Sequence, residues 1–434
     1  MPPNKIKQNN INLNLNVRGL TPSATLAINE KSNYLIKSGK KIFKLGLGQS
    51  PFPVPEIVVK ALQNNAHQKD YLPVRGLPEL KEAVTVFNEK YLNVNSSPED
   101  IMIGPGSKEL IFILQLVYYG DLIIPTPSWV SYAPQARIIG RHVSWVPTEK
   151  SNNWRLSPEK LELICRTDPG RPRIVILNYP SNPTGCTYPV ERLKLLAKIA
   201  RKYNVVLVSD EIYGLTQYDG MHQSIAQYYP EGTIISNGLS KWCGAGGWRL
   251  GTFTFPESLR WLQNAMASVA SETYTATSAP IQYAAVTAFK GGKWLDDYLF
   301  HTRRILKHIG YYFAEKLSKI NIVAPRPQGA FYLFADFEFY RKQLEKHEIY
   351  TSVEICNDLL EKTGVAILPG SEFGRQPEEL TTRIAFVNFK GEKALKVSKS
   401  DYLSKNLDED FLIQNCPEVI EAIKNIEIWI KQFP

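Results

Sequence analysis

Lys241 stands in a setting suited to covalent chemistry. It lies in Asn-Gly-Leu-Ser-Lys-Trp-Cys-Gly-Ala-Gly-Gly-Trp-Arg-Leu-Gly-Thr, residues 237–252, with no further charge until Arg249. Glycines 244, 246, 247 and 251 surround the two cations. An amine among small and apolar residues is partly desolvated. Desolvation disfavours the ammonium, lowers its pKa and frees the lone pair to attack a carbonyl. Arg249, beyond a glycine-rich turn, suits a phosphate or a carboxylate. A ligand with both a carbonyl and a phosphate would use both residues. Taken alone, the run is explained equally well by a structural lysine beside a turn.

Other residues fit the same kind of ligand. Asp210, in Ser209-Asp210-Glu211-Ile212-Tyr213, ends an apolar run, where low dielectric strengthens a carboxylate's pairing with a protonated ring nitrogen. Asn182 and Tyr213 can donate to a phenolate oxygen. Arg383, in Thr381-Thr382-Arg383-Ile384-Ala385-Phe386, enters an otherwise apolar stretch. A guanidinium there is costly unless it meets an anion, such as a substrate carboxylate; a structural salt bridge is the alternative. Gly104-Pro105-Gly106-Ser107-Lys108 joins a short apolar run to an apolar helix, an arrangement that points free amides at an anion. It lacks P-loop spacing. Trp129 can stack on a flat ring, although such residues are usually core. Tyr71 sits in a loop, and Gly48 in a chain reversal where it can let the backbone approach a ligand. An amine, a ring-nitrogen acid, phenolate donors, a phosphate clamp and a carboxylate handle are together what pyridoxal phosphate chemistry requires.

The intervening chain must gather these residues. Strands are expected at 101–103, 121–124, 143–146, 173–177, 205–208, 233–236 and 251–255, with helices at 109–118 and 190–202. The run Arg-Ile-Val-Ile-Leu at 173–177 has the unbroken apolarity of a parallel strand buried on both faces. The alternation implies an α/β fold: a mostly parallel central sheet with helices on both faces. Asn182, Asp210, Tyr213 and Lys241 all follow the C-terminal ends of strands, where open α/β sheets hold ligands. Upstream, helices are expected at 22–38, 55–66 and 78–91 and a short strand at 42–47. Downstream, 256–320 reads as helical, with strands at 329–337, 365–369 and 383–387 and helices at 353–362 and 417–430. The charged stretch 390–410 is expected to be an exposed insertion, and the polar residues 1–20 a loosely attached arm.

Composition narrows the class. With 434 residues, 44% apolar and 21% charged, the chain has the composition expected of a soluble globular protein and the length for two domains, or for one large domain plus a smaller one. The net charge of +9 is dispersed without a Lys/Arg block, so a nucleic-acid partner is not expected. Five scattered cysteines and six histidines form no C-x-x-C or H-E-x-x-H spacing. That argues against a metal site or a disulfide framework and for a reducing, cytoplasmic setting. No run of about 18 apolar residues suggests a membrane span.

The motifs now add up to a likeness. Pro22-Ser23-Ala24-Thr25, Asn182-Pro183-Thr184-Gly185, Asp210-Glu211-Ile212-Tyr213, Gly238-Leu239-Ser240-Lys241 and Gly247-Trp248-Arg249-Leu250-Gly251 occur in order over residues 22–387. The chain resembles a class I/II (fold-type I) pyridoxal-phosphate aminotransferase. Trp129-Val130-Ser131-Tyr132 and Gly246-Gly247-Trp248-Arg249 bring it nearest the bacterial-type aspartate aminotransferase branch.

The resemblance implies that Lys241 forms the Schiff base and carries the proton. It implies that Asp210 pairs with the ring nitrogen, and that Tyr213 and Asn182 bind the phenolate oxygen. Trp129 would stack on the ring, and Arg249 with the amides of Ser107 and Lys108 would hold the phosphate. Tyr71 would reach the phosphate of a neighbouring subunit in a homodimer. Gly48 and Arg383, with Trp129 and Asn182 nearby, would hold the substrate. The implied substrates are an L-amino acid and a 2-oxo acid of the aspartate or aromatic type. The implied domains are 59–319, binding the cofactor, and a smaller α/β domain from 21–58 and 320–434. Gly238 departs from the pattern, since many relatives carry a phosphate-binding serine there. A lyase or cyclising synthase would use the same attachment residues. A non-catalytic sensor is disfavoured, because lysine, acid and arginines are all present.

Overall fold

The structure, a computed structural model, describes residues 12–401 and 406–433. Its strands are β1 (Phe43–Lys44), β2 (Ile101–Gly104), β3 (Asp121–Thr126), β4 (Val143–Pro147), β5 (Arg173–Asn178), β6 (Val206–Asp210), β7 (Thr233–Gly238), β8 (Gly251–Thr254), β9 (Tyr332–Asp336), β10 (Val365–Ala366), β11 (Leu368–Pro369) and β12 (Thr381–Ala385). Seven of them form the central sheet in the order β2-β8-β7-β6-β5-β3-β4. The strands from β7 to β4 are mutually parallel, and β8 is antiparallel to both β7 and β2.

Strand patterning explains the layers. Ile174 and Ile176 of β5 pack with side chains of helices Ser107–Val117 and Arg260–Glu272. Val175 and Leu177 pack on the opposite face with helices Pro158–Thr167 and Val190–Lys202. Burying each such side chain contributes about 1.5–3 kcal/mol, so both faces of β5 must be covered and the run is apolar throughout. The chain runs from β3 outward to β4, returns across β3 to β5, then proceeds the other way to β6 and β7. Strand order therefore reverses between β3 and β5, and a crevice opens there at the strands' C-terminal ends.

Two smaller sheets lie beside this one. β1 pairs in parallel with β10, Phe43 opposite Val365, so segments more than 300 residues apart meet. β11, β12 and β9 form an antiparallel sheet in which Arg383 lies opposite Phe334 and Leu368. The expected strand at 365–369 is thus two strands, and the chain changes sheets at Ile367. An unbroken apolar run conceals such a switch, because both halves are buried.

The charged segment near the C-terminus requires a correction. Residues 391–400 are a helix, Gly391–Ser400, that buries Ala394, Leu395 and Ser398. Ser398 Oγ lies 2.8 Å from His301 Nδ1 of the helix Lys293–Lys319. Among the lysines, Ala394, Leu395 and Ser398 share one face at helical spacing, and burial of that face overturns the expectation of an exposed insertion over 390–410. Glu409–Asn415 is also a helix, with Phe411 and Leu412 buried, while 402–405 lie outside the described residues. At the other end, residues 14–20 turn and dock, with Arg137 Nη2 donating to the Arg18 carbonyl at 2.8 Å. Residues 1–11 lie outside the described residues. If 391–400 is core, Leu395→Ala is expected to cost about 2 kcal/mol, read as a lower urea midpoint at unchanged m-value. A change within about 0.5 kcal/mol would restore the exposed-insertion reading.

Candidate active site

A cavity of about 540 Å³ opens at the crevice between β3 and β5 and extends over the ends of β6 and β7. Every residue singled out from the sequence lines it except Tyr71. Tyr71 is 91% exposed and lies on the surface of its own subunit. Asp210 is the only acid in the lining, against four cations: Lys108, Lys241, Arg249 and Arg383. Among the described residues none of those four forms a salt bridge.

Lys241 follows β7 and rises from the cavity floor. Its Nζ donates to the carbonyl of Gly48 at 2.7 Å and sits 5.3 Å from the centre of the Tyr213 ring. Removal from water, then the positive charge of Arg383, pull its pKa down to about 7; Asp210 opposes the shift and Arg249 adds to it. An appreciable fraction of the amine is therefore neutral near pH 7.

Asp210 ends β6 and is buried. Its Oδ2 accepts a 2.5 Å hydrogen bond from the Tyr132 hydroxyl. Its Oδ1 accepts from the Ile212 amide at 3.4 Å and from Ser236 Oγ at 3.3 Å. Burial raises its pKa to about 6, with Tyr132, Ile212 and Ser236 holding it down. Asn178, at the end of β5, donates to the Asp210 carbonyl at 3.0 Å and accepts from the Asn182 amide at 2.7 Å. Neighbouring strand ends thus fix Asp210 and Asn182 together.

The opposite wall favours an anion. The helix begins at Ser107, two residues earlier than its apolar run suggested, so Ser107 and Lys108 carry the free amides of its first turn. Gly106, at φ 95°, supplies the turn into it, and a Cβ there would strike the Arg249 guanidinium. Arg249 is left-handed at φ 56° and ψ 55°, which costs about 1–2 kcal/mol for a residue with a Cβ. Burial and the charge of Arg249 both lower the Lys108 pKa. The structure also accounts for Gly238: a Cβ there would lie 2.6 Å from the Leu250 carbonyl oxygen and 3.0 Å from Gly251 Cα. A serine would push β8 from β7.

Arg383 is fully buried. Its Nη1 donates to Asn182 Oδ1 at 3.3 Å, its Nη2 donates to the Gly46 carbonyl, and its Nε has no partner. The guanidinium lies 4.9 Å from the Tyr332 ring centre and 5.1 Å from that of Phe373. Tyr332 also meets the Tyr213 hydroxyl at 2.7 Å and fills the space a Cβ on Gly48 would need. Tyr132, Asn178, Ser236 and Tyr332 escaped the sequence reading. Their one signal was position at strand ends or beside Arg383, which many core residues share.

The donor set suits pyridoxal phosphate. A desolvated amine, a buried acid, an aromatic wall at Trp129 and an anion pole at Ser107–Lys108–Arg249 face one cavity, with a second anion site at Arg383. A mostly parallel α/β sheet carrying that set defines a pyridoxal-phosphate enzyme of fold-type I. A profile of the family described as "Aminotransferase class I and II" matches residues 40–393. An aspartate aminotransferase of Geobacillus stearothermophilus is 36% identical over 369 residues, 82% of this chain and 91% of that protein. An asparagine–oxo-acid transaminase of Streptococcus mutans is 30% identical over 83% of this chain and 92% of that protein. A solved aspartate aminotransferase of Thermus thermophilus with maleate superposes with a TM-score of 0.81 at 28% identity, covering 95% and 98% of the two chains. The chain belongs to the class I and II aminotransferases. It transfers an amino group between an amino acid and a 2-oxo acid, with pyridoxal phosphate as cofactor.

Two predictions arise here. Gly238→Ser is expected to lower stability by about 1–3 kcal/mol through overpacking without tightening cofactor binding, as read by thermal melting and cofactor titration. The second concerns Lys241 in the cofactor-free chain. Its folded pKa of about 7 lies below the value of about 10.4 for an unfolded lysine. Between these pH values the unfolded chain binds more protons, so the Lys241 contribution to stability rises with pH. Urea melts from pH 7 to 10 should show that slope, and Lys241→Met should flatten it.

Proposed function

We propose that Lys241 is the covalent and proton-transferring centre of this aminotransferase and that the remaining lining residues hold cofactor and substrate around it. The observation that carries this reading is the Lys241 amine, pulled down to about 7 and held 2.7 Å from the Gly48 carbonyl in a cavity whose only acid is Asp210. Bound pyridoxal phosphate supplies a carbonyl and an electron-withdrawing ring on which the amino group is carried between the two substrates. Lys241 would tether the carbonyl carbon. Asp210, oriented by Tyr132 and Ser236, would pair with the ring nitrogen. Tyr213 and Asn182 would bind the phenolate oxygen, and Trp129 would stack on the ring. Arg249 and the amides of Ser107 and Lys108 take the phosphate. Arg383, beside Asn182 and Gly48, takes the α-carboxylate of the amino acid, which places the α-carbon within reach of Lys241 Nζ. Once the substrate's amino group takes its place on the carbonyl carbon, the freed Lys241 Nζ would accept the α-proton and then give it up on the cofactor side of that nitrogen.

The reading extends to assembly and setting. The exposed Tyr71 completes the phosphate site of a second copy in a homodimer. The pairing of β1 with β10 supports a small domain from 21–58 and 320–434 beside a cofactor domain at 59–319. Five unpaired, buried cysteines suit the cytoplasm. Among the described residues no helix is long and apolar enough to cross a membrane. Aspartate is the first amino donor to try, from the names of the relatives, with aromatic amino acids next.

Lys241→Ala is expected to abolish the absorbance band of the lysine-linked cofactor and to lower transamination more than about 1,000-fold; turnover near the unmodified level would overturn the assignment. With the holoenzyme and an amino donor alone, one equivalent of 2-oxo acid should appear without ammonia. Continuous ammonia release would favour a lyase.

A further inference from the structure

A second polar cluster lies directly behind the cofactor-facing strand ends. Asp210 and Glu211 are consecutive, so their side chains leave the chain in opposite directions. Asp210 enters the cavity, and Glu211 enters the core on the far side, where it is wholly buried. Glu211 Oε1 accepts from Ser209 Oγ at 2.7 Å and from Ser224 Oγ at 2.6 Å. Its Oε2 accepts from His222 Nε2 at 2.8 Å. The Tyr179 hydroxyl stands 3.5 Å from Oε1 and accepts from the Ile225 amide at 2.8 Å. The His222 ring tilts against the Tyr179 ring at 5.4 Å, and a Cβ on Gly214 would lie 2.9 Å from His222 Cδ2.

One carboxylate therefore ties the residue before Asp210 to the loop 222–225, and His222, held by it, fills the space beside Gly214, the residue after Tyr213. These ties bracket the turn that presents both Asp210 and Tyr213. A carboxylate buried this deeply is tolerated only when fully hydrogen-bonded. A hydrophobic core could fill the same volume without a charge, so the cost calls for a positional reason. We propose that Glu211, locked by His222 and the two serines, is a positioning residue that fixes the Asp210–Tyr213 turn so that the Asp210 carboxylate meets the cofactor's ring nitrogen. The proposal rests on the ring-nitrogen role given to Asp210 above. Glu211 also acts on Asp210 through space, its charge favouring the protonated form.

The test uses the cofactor-free protein and two probes, pyridoxal phosphate and its carbocyclic analogue with C–H in place of the ring nitrogen. Only the first can pair with Asp210. Dissociation constants for both, read by tryptophan fluorescence, give a preference ratio that general loosening of the fold would leave unchanged. His222→Leu and Glu211→Gln are expected to cut the ratio about tenfold, the equivalent of about 1.4 kcal/mol. Glu211→Gln keeps the side chain's volume and turns one acceptor into a donor facing donors, so it reports if the leucine variant does not fold. His222→Gln, which can still donate to Oε2, should stay within about threefold of the parent. A parental ratio in both disrupting variants, or equal weakening of the two probes, would overturn the proposal. Asp210→Ala is the reference: it should erase the preference. A parental ratio there would overturn the ring-nitrogen role itself, and the positioning of Asp210 with it.

Discussion

The structure is organised by positive charge gathered in one cavity, with too little negative charge to match it. Four cations line one cavity with a single carboxylate. Arg383 is fully buried, and its direct partners are neutral oxygens and aromatic faces. Burying charge in this way is unfavourable in the cofactor-free chain. Under the roles proposed above, it would become favourable with a phosphate between Arg249 and the helix at Ser107 and a carboxylate at Arg383, since each anion would supply the charge the fold lacks there. Binding and stability are therefore linked in this molecule, and the holoenzyme must be the more stable state.

Holding those charges in place explains the less regular features of the chain. The reversal of strand order between β3 and β5 opens the crevice. Gly238 and Gly251 lie opposite each other in the β7–β8 pair and let two strands and the helix N-terminus approach closely. A Cβ on Gly251 would collide with the Ser107 amide. Arg249 adopts a left-handed backbone in order to fold back on Gly106. A Cβ at position 238 would crowd the Leu250 carbonyl, and under the roles proposed above the phosphate would rest on Arg249, Lys108 and the helix amides.

The sequence made some of this legible and hid the rest. Residues that end apolar strands were readable, since parallel strands buried on both faces leave an unmistakable run and the first polar residue beyond it lies at the sheet edge. Asp210 and Asn182 follow such runs within a few residues, Lys241 stands out by its glycine-rich, charge-poor setting, and Arg383 by the cost of a charge in an apolar strand. Tyr132 and Tyr332 were not readable, because a buried tyrosine looks like core until its hydroxyl partner is known. The change of sheets at Ile367 was hidden by uniform apolarity, and the helix at 391–400 by lysines on its outer face. The cluster behind Asp210 was invisible for a related reason. Its members, Tyr179, Ser209, Glu211, His222 and Ser224, come from three segments and share no spacing.

The charge imbalance also bears on how the lysine works. Three influences hold the Lys241 amine down: removal from water first, then Arg383, and last Arg249; Asp210 opposes them. Under the roles proposed above, a phosphate beside Arg249 would offset one, and a substrate carboxylate on Arg383 another. Filling the site would then raise the proton affinity of Lys241. Arg383 and Arg249 both lie within electrostatic reach of the lysine, and among the described residues neither forms a salt bridge, so an anion bound at either would act on Lys241 as well.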